Sequence, residues 1–487
     1  MPEQAKTSNR VSKEEFKAAE PGLRMELVNA QYDLQSADFP VVVLIMGDDR
    51  LGANRLLDRL HEWMDVRYID THVFPPATDE ERLRPRFWRY WRELPPKGRI
   101  GIYFGAWALG TIADRINKDL SKRQFERRIE HIRRFEQDQI DDGALVLKYW
   151  IHLPPKEFAR RMKKADRLTT AQVDDLDWEI YHHLNKAEPV SRRYLEATDT
   201  AKTPWTVVES TDPRYCQLTV ARSLLASMQT RLAGKTPSIP TPKPGVFTGD
   251  DALSKVNLDA KLERNEYKRK LEKRQVQLNK LVGQAHQAGI STVLAFEGWD
   301  AAGKGGVIRR ITGALAAAYY SVAPVAAPTD EEKARHYLWR FWRRIPMPGK
   351  FVIFDRSWYG RVLVERVEGF AKPAEWQRAY DEINDFEQQL AEHGMLVLKF
   401  WMHIDPDEQL RRFKAREQTG YKKYKITDED YRNRDKWDDY VAAVNEMVAR
   451  TDTDAAPWHL IPANDKPYAR VKVLDILCKA LKKRLKS

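Results

Sequence analysis

Between an apolar run, Thr292 to Phe296, and a helical pattern starting near Val307, the chain reads Gly298-Trp-Asp-Ala-Ala-Gly303-Lys304-Gly305-Gly306. Glycines at this spacing let successive backbone N–H groups converge on an anion, and the helix that follows adds the positive end of its dipole. Lys304 supplies a mobile cation, so the stretch is a phosphate-binding loop and its ligand a chain of phosphates. Gly298, Ala302, Gly303, Gly305 and Gly306 are its expected contacts. The usual pattern has Ser or Thr after the lysine to hold Mg²⁺, whereas this chain has Gly305. A carboxylate must then hold the metal, and Asp300 is the nearest one, because an anion beside phosphate is repelled unless a cation lies between them. The plainer alternative makes Asp300 the cap of the following helix.

A second carboxylate closes another apolar run, Phe351-Val-Ile-Phe-Asp355-Arg356-Ser-Trp-Tyr-Gly-Arg361. In a P-loop fold a strand-end aspartate reaches the Mg²⁺ that bridges the phosphates, so Asp300 and Asp355 are the expected metal ligands. Arg356 and Arg361 can hold non-bridging oxygens and spread the charge that develops on a transferring phosphoryl group. A local Asp355–Arg356 salt bridge is the competing reading. Further on, Arg416, Lys422, Lys423 and Lys425 lie in a basic, glycine-broken segment, about 411–436. It is either a solvated helix pair or a lid that closes over a polyanion and excludes water.

The elements that position these groups are short strands alternating with helices. Thr292 to Phe296, Phe351 to Phe354, Leu396 to Met402 and Trp458 to Ile461 read as buried strands of a parallel α/β sheet flanked by helices, a P-loop kinase fold. Ligands in such sheets bind at the carboxyl ends of the strands, where the Gly298 loop lies. The pattern occurs twice. Gly47 and Gly52 answer Gly298 and Gly303 at an offset of 251 residues, and Leu145 to His152 answers Leu396 to His403 at the same offset. In the first copy Lys304 becomes Ala53, Gly305 becomes Asn54, Asp355 becomes Phe104 and Arg356 becomes Gly105, while Asp300 keeps its counterpart Asp49. Trp88, Trp91, Lys148 and His152 remain, so the first copy is expected to fold without transferring phosphate. The division is 14–233 for the degenerate domain, 234–250 for a proline-rich linker and 251–487 for the active one. A charged segment, Asp259 to about Gln287, reads as a helix packed by one face only.

The formal charge of +12 calls for an anionic partner. The two cysteines, Cys216 and Cys478, form no CxxC pair, which argues against a disulfide framework or structural zinc. No signal peptide and no long apolar span stands out, so the expected setting is the cytoplasm without a membrane partner. No nucleic-acid motif is present, and a nucleic-acid-binding P-loop protein without transferase activity is the rival from another class.

The motifs GWDAAGKGG, FDRSWYGR, RFKAREQTGYKKYKIT and TDTDAAPWHLIPANDKPYAR together make residues 251–487 resemble the family-2 polyphosphate kinases. The tandem layout is similar to their two-domain subgroup, the polyphosphate:AMP phosphotransferases. The resemblance implies transfer of the terminal phosphoryl group of inorganic polyphosphate to AMP, giving ADP and reversible in principle. It implies a Walker A loop with Asp300 and Lys304, a Walker B pair Asp355 and Arg356, and a lid around Arg416, Lys422, Lys423 and Lys425. It further implies dependence on Mg²⁺, with Mn²⁺ as a substitute, and association as a homo-oligomer or as a pseudo-dimer of the two halves. A polyphosphate-dependent ADP to ATP kinase and a nucleoside monophosphate kinase using ATP are the alternatives within the enzyme class.

Overall fold

The computed structural model describes residues 9–165, 184–234, 249–418 and 428–486. They fall into two compact units. One is built from the first half of the sequence with Asp330–His336 included and Thr78–Trp88 left out, and the other from the second half with the converse exchange. Most of the proline-rich run at 234–250 lies outside the described residues. No described helix is long and apolar enough to cross a membrane.

The second unit carries a parallel sheet of five strands, β6 (Thr292–Gly298), β7 (Tyr320–Pro324), β8 (Phe351–Asp355), β9 (Leu396–His403) and β10 (Trp458–Pro462), in the order β10-β9-β6-β8-β7. The first unit repeats it with β1 (Val41–Gly47), β2 (Ile69–Val73), β3 (Ile100–Phe104), β4 (Leu145–His152) and β5 (Trp205–Glu209) in the order β2-β3-β1-β4-β5. Strands covered by helices on both faces favour apolar side chains, which is why β1 is a continuous hydrophobic run and β6 is one from Val293 to Phe296. The edge strands β2 and β7 have no such run: β7 is mostly exposed and ends in Pro324, whose missing N–H an edge tolerates. Both escape a search for apolar stretches. The charged helix forms over Arg264–Gln287 and buries only Leu278, Leu281, Val282 and Ala285, the single packed face expected of it.

Each unit is pinned by the same buried ion pair. Lys399 on β9 donates to Glu387 at 2.8 Å, to the Tyr359 hydroxyl at 2.8 Å and to the Thr451 carbonyl at 2.6 Å, and both ions are wholly buried. Trp358 and Tyr359 donate to the other oxygen of Glu387, completing its bonds. In the first unit Lys148 reaches Glu136 at 2.9 Å and the Thr198 carbonyl at 2.6 Å. Ions so placed are tolerable only when paired and fully hydrogen-bonded. Lys399→Met should therefore lower the unfolding free energy of the second unit by about 3–5 kcal/mol in a urea titration, with Glu387→Gln in the same chain recovering part of the loss.

Candidate active site

The central strand β6 delivers the loop. Gly298 opposes Met402 across the sheet, and a Cβ at Gly298 would stand 2.5 Å from the Met402 carbonyl oxygen, so only glycine fits there. Beyond Trp299 and Asp300 the backbone turns left-handed at Ala301 (φ 63°) and again at Gly303 (φ 110°) before the helix Lys304–Thr312 begins. Gly303 caps that helix without a side chain, which leaves its first N–H groups directed at the loop's concavity. The buried Arg412 holds the loop from behind. Its Nη1 donates to the carbonyls of Ala301 and Ala302, both at 2.9 Å, its Nη2 donates to those of Ala463 and Asn464, and Glu408 balances its charge.

Strand β8, paired with β6 so that Asp355 lies opposite Phe296, brings up the second carboxylate. Arg356 follows with φ 64°, a conformation that costs a side-chain-bearing residue about 1–3 kcal/mol. Its Nη2 lies 3.4 Å from Asp300 Oδ1, while Asn433 Nδ2 donates to Asp300 Oδ2 at 3.0 Å. Asp300 thus caps no helix, and its largely buried carboxylate is shared between Arg356 and Asn433. The competing reading, a local salt bridge between Asp355 and Arg356, does not hold; Arg356 turns to Asp300 instead. Glu297, fully buried beside Lys304 and Arg356, has its carboxyl pushed above the usual carboxylate range by desolvation.

Two cavities meet at these residues. The larger gathers Asp300, Ala302, Gly303, Lys304, Gly305, Gly306, Asp355, Arg356 and Arg416, nine of the positions singled out from the sequence. Arg309, Arg310 and Arg470 add charge that sequence reasoning missed. The first two follow Lys304 on one short helix; Arg470 ends the quoted TDTDAAPWHLIPANDKPYAR motif, but nothing local ties it to the loop, since it lies far along the chain on the helix Lys466–Arg484. The smaller cavity includes Gly298 and is walled by Trp299, Leu363, Val364, Trp401 and Tyr440. Trp299 stacks on Trp437 at 3.7 Å and donates its indole N–H to His403 Nδ1 at 3.0 Å. Burial takes the His403 imidazole down to about 4, so it is the neutral acceptor this bond requires.

Arg361 lines neither cavity. Its guanidinium pairs with Glu365 at 3.3 Å and lies over the Tyr337 ring at 4.5 Å. Lys422, Lys423 and Lys425 lie outside the described residues, between the helices Pro406–Glu417 and Asp428–Asp435. No group of three or more His, Cys, Asp or Glu side chains stands ready for a metal ion among the described residues. The donor set still suits Mg²⁺, which takes one or two carboxylates and fills its octahedron with phosphate and water. Asp300 and Asp355 border one cavity, and the Asp355 carboxylate accepts no hydrogen bond or ion pair from the described residues.

The polyphosphate kinase 2 family model matches residues 10–235 and again 261–487. This chain belongs to the polyphosphate kinase 2 family. It is 46% identical to the polyphosphate:AMP phosphotransferase of Pseudomonas aeruginosa over 99% of this chain and 98% of that one. It is 37% identical to the enzyme of the same name from Acinetobacter johnsonii over 95% and 96% of the two chains. A solved structure described as a polyphosphate kinase 2 from Pseudomonas aeruginosa superposes with a TM-score of 0.89 at 45% identity, covering 98% of this chain and 97% of that one.

Within this two-copy polyphosphate kinase 2 chain, the corresponding loop of the first copy is built differently. Its helix, Arg50–Trp63, starts three positions before Ala53, the counterpart of Lys304. Asp49 is buried and caps that helix, accepting from Gly52 N at 2.9 Å and from Ser210 Oγ. The capping role open to Asp300 thus falls to its counterpart. Phe104 is buried where Asp355 stands, with the Arg50 guanidinium 5.8 Å from its ring centre, and the space beside Gly52 is small. Asp49→Ala should accordingly cost about 1 kcal/mol of stability in thermal unfolding, with the turnover of folded molecules retained. At Arg356 the comparison is between two replacements. Arg356→Gly should unfold about 1 kcal/mol later than Arg356→Ala, because only glycine relieves the left-handed backbone.

Proposed function

We propose that the second half of this chain transfers the terminal phosphoryl group of inorganic polyphosphate to AMP, giving ADP and a chain shorter by one phosphate. The observation that carries this reading is the junction of two unlike cavities at Trp299, Asp300, Lys304, Arg356 and Asn433. The larger is edged by loop N–H groups and by Arg309, Arg310, Arg416 and Arg470, the surroundings a polyanionic donor needs. The smaller has aromatic and aliphatic walls suited to a nucleoside, with its polar end at the loop. Relatives matched over nearly their whole length carry the name polyphosphate:AMP phosphotransferase.

In this reading a phosphate oxygen of AMP attacks the terminal phosphorus as the bridging P–O bond to the chain breaks. The acceptor oxygen is already deprotonated, so positioning and charge neutralisation are the whole task. Lys304 follows the transferring group: its ammonium now donates to the Gly298 carbonyl and lies 3.5 Å from that of Trp299, within reach of the loop's centre. Arg356 neutralises from the opposite strand. Mg²⁺, held by Asp300 and Asp355, would screen the phosphate charge against both carboxylates. The first half, with its loop wound into helix, acts as scaffold. Two buried free cysteines agree with a reducing, cytoplasmic setting.

Incubation with AMP, polyphosphate and Mg²⁺ in the absence of ATP, followed by separation of nucleotides, should yield ADP. Lys304→Ala and Asp355→Asn should each reduce its formation by about 100-fold or more while circular dichroism stays unchanged. Full activity in either variant would sink the assignment. Salt-sensitive retention of duplex DNA without nucleotide turnover would favour the nucleic-acid-binding alternative.

A further inference from the structure

Arg356 is held from both sides. Its own N–H donates to the Phe296 carbonyl at 3.1 Å, a bond the first half repeats between Gly105 and Ile45 at 3.2 Å. The second hold exists in one half only. Glu297 Oε1 accepts from the Ser357 N–H and from the Ser357 hydroxyl, each at 2.7 Å, in a buried setting. Counted back by 251 residues, Glu297 becomes Met46, Arg356 becomes Gly105 and Ser357 becomes Ala106. The left-handed turn is common to both halves, with φ of 64° at Arg356 and 74° at Gly105. Glycine adopts it freely and arginine does not. The buried carboxylate and its serine thus occur together with the left-handed arginine and are missing together where glycine takes the arginine's place, the alanine after it having φ 31°.

We propose that Glu297 is a positioning residue for phosphoryl transfer: by taking both Ser357 hydrogen bonds on one oxygen it fixes the backbone beyond Arg356 and aims that guanidinium at Asp300 and the cavity junction. The inference rests on the role given to Arg356 above. Glu297 acts through the arginine and needs an acceptor oxygen there, with its charge secondary, so the amide of glutamine should serve.

Steady-state kinetics of E297M, which installs the first-half residue, of R356G, of the double variant and of E297Q test this. E297M should lose about 100-fold in kcat, as a misplaced catalytic group does. The double variant should be no slower than R356G, since two changes acting on one interaction do not multiply. E297Q should stay within about threefold of the unaltered chain, and it carries the test if thermal unfolding shows that E297M does not fold. A kcat for E297M near that of the unaltered chain, losses that multiply in the double variant, or an E297Q as slow as R356G would each overturn the proposal. An active R356G would overturn the reading of Arg356 beneath it, whereas an inactive R356G beside an active E297M removes the inference about Glu297 alone.

Discussion

Backbone N–H groups can converge on phosphate only if the chain leaves its ordinary conformations, and the loop end of the sheet in the second half depends on that constraint. Gly298, Ala301, Gly303 and Arg356 all have positive φ within one corner of the sheet, and two of the four carry side chains. Such strain persists only where the surroundings over-determine it. Here Arg412 ties the loop carbonyls to the segment after β10, and Glu297 ties the turn after β8 to the central strand. Parallel pairing brings these turns together, because every strand ends on the same side.

The duplication separates packing from chemistry within a single chain. What both halves keep is the interior: the strand order, the buried lysine–glutamate pair and the tryptophan that donates to its glutamate, Trp107 to Glu136 and Trp358 to Glu387. What the first half gives up is the costly part. Its arginine reverts to glycine, its loop winds into helix, and Phe104 fills the place of a carboxylate. The histidine ending the fourth strand of each sheet changes partners accordingly. His152 bonds Asp48 at 2.7 Å, while His403 accepts from Trp299, whose ring also walls the smaller cavity.

Much of this was legible because it is local. The glycine loop, Lys304 and the aspartate closing an apolar run are contiguous signals, and the buried strands of a parallel sheet announce themselves as unbroken hydrophobic stretches. Arg361 shows the limit of such reasoning. It follows the same strand as Arg356 by five positions, yet the short helix Trp358–Val362 turns it toward Glu365 and the Tyr337 ring. The edge strands β2 and β7 were silent for a different reason, since they bury too little to leave a pattern.

Sequence alone determined that an α/β domain is repeated and that one copy keeps the glycine loop and its lysine, because backbone freedom and charge in a short loop are properties of adjacent residues. Tertiary structure decided which far-removed groups join them. Arg470 and Asn433 reach the loop only through the order of the strands and the packing of their helices. It also decided between two aspartates that the repeat makes equivalent: Asp49 is consumed as a helix cap, whereas Asp300 turns to the cavity between Arg356 and Asn433. The residue is the same in both halves; where the next helix starts, and what approaches from across the sheet, sets what its charge can do.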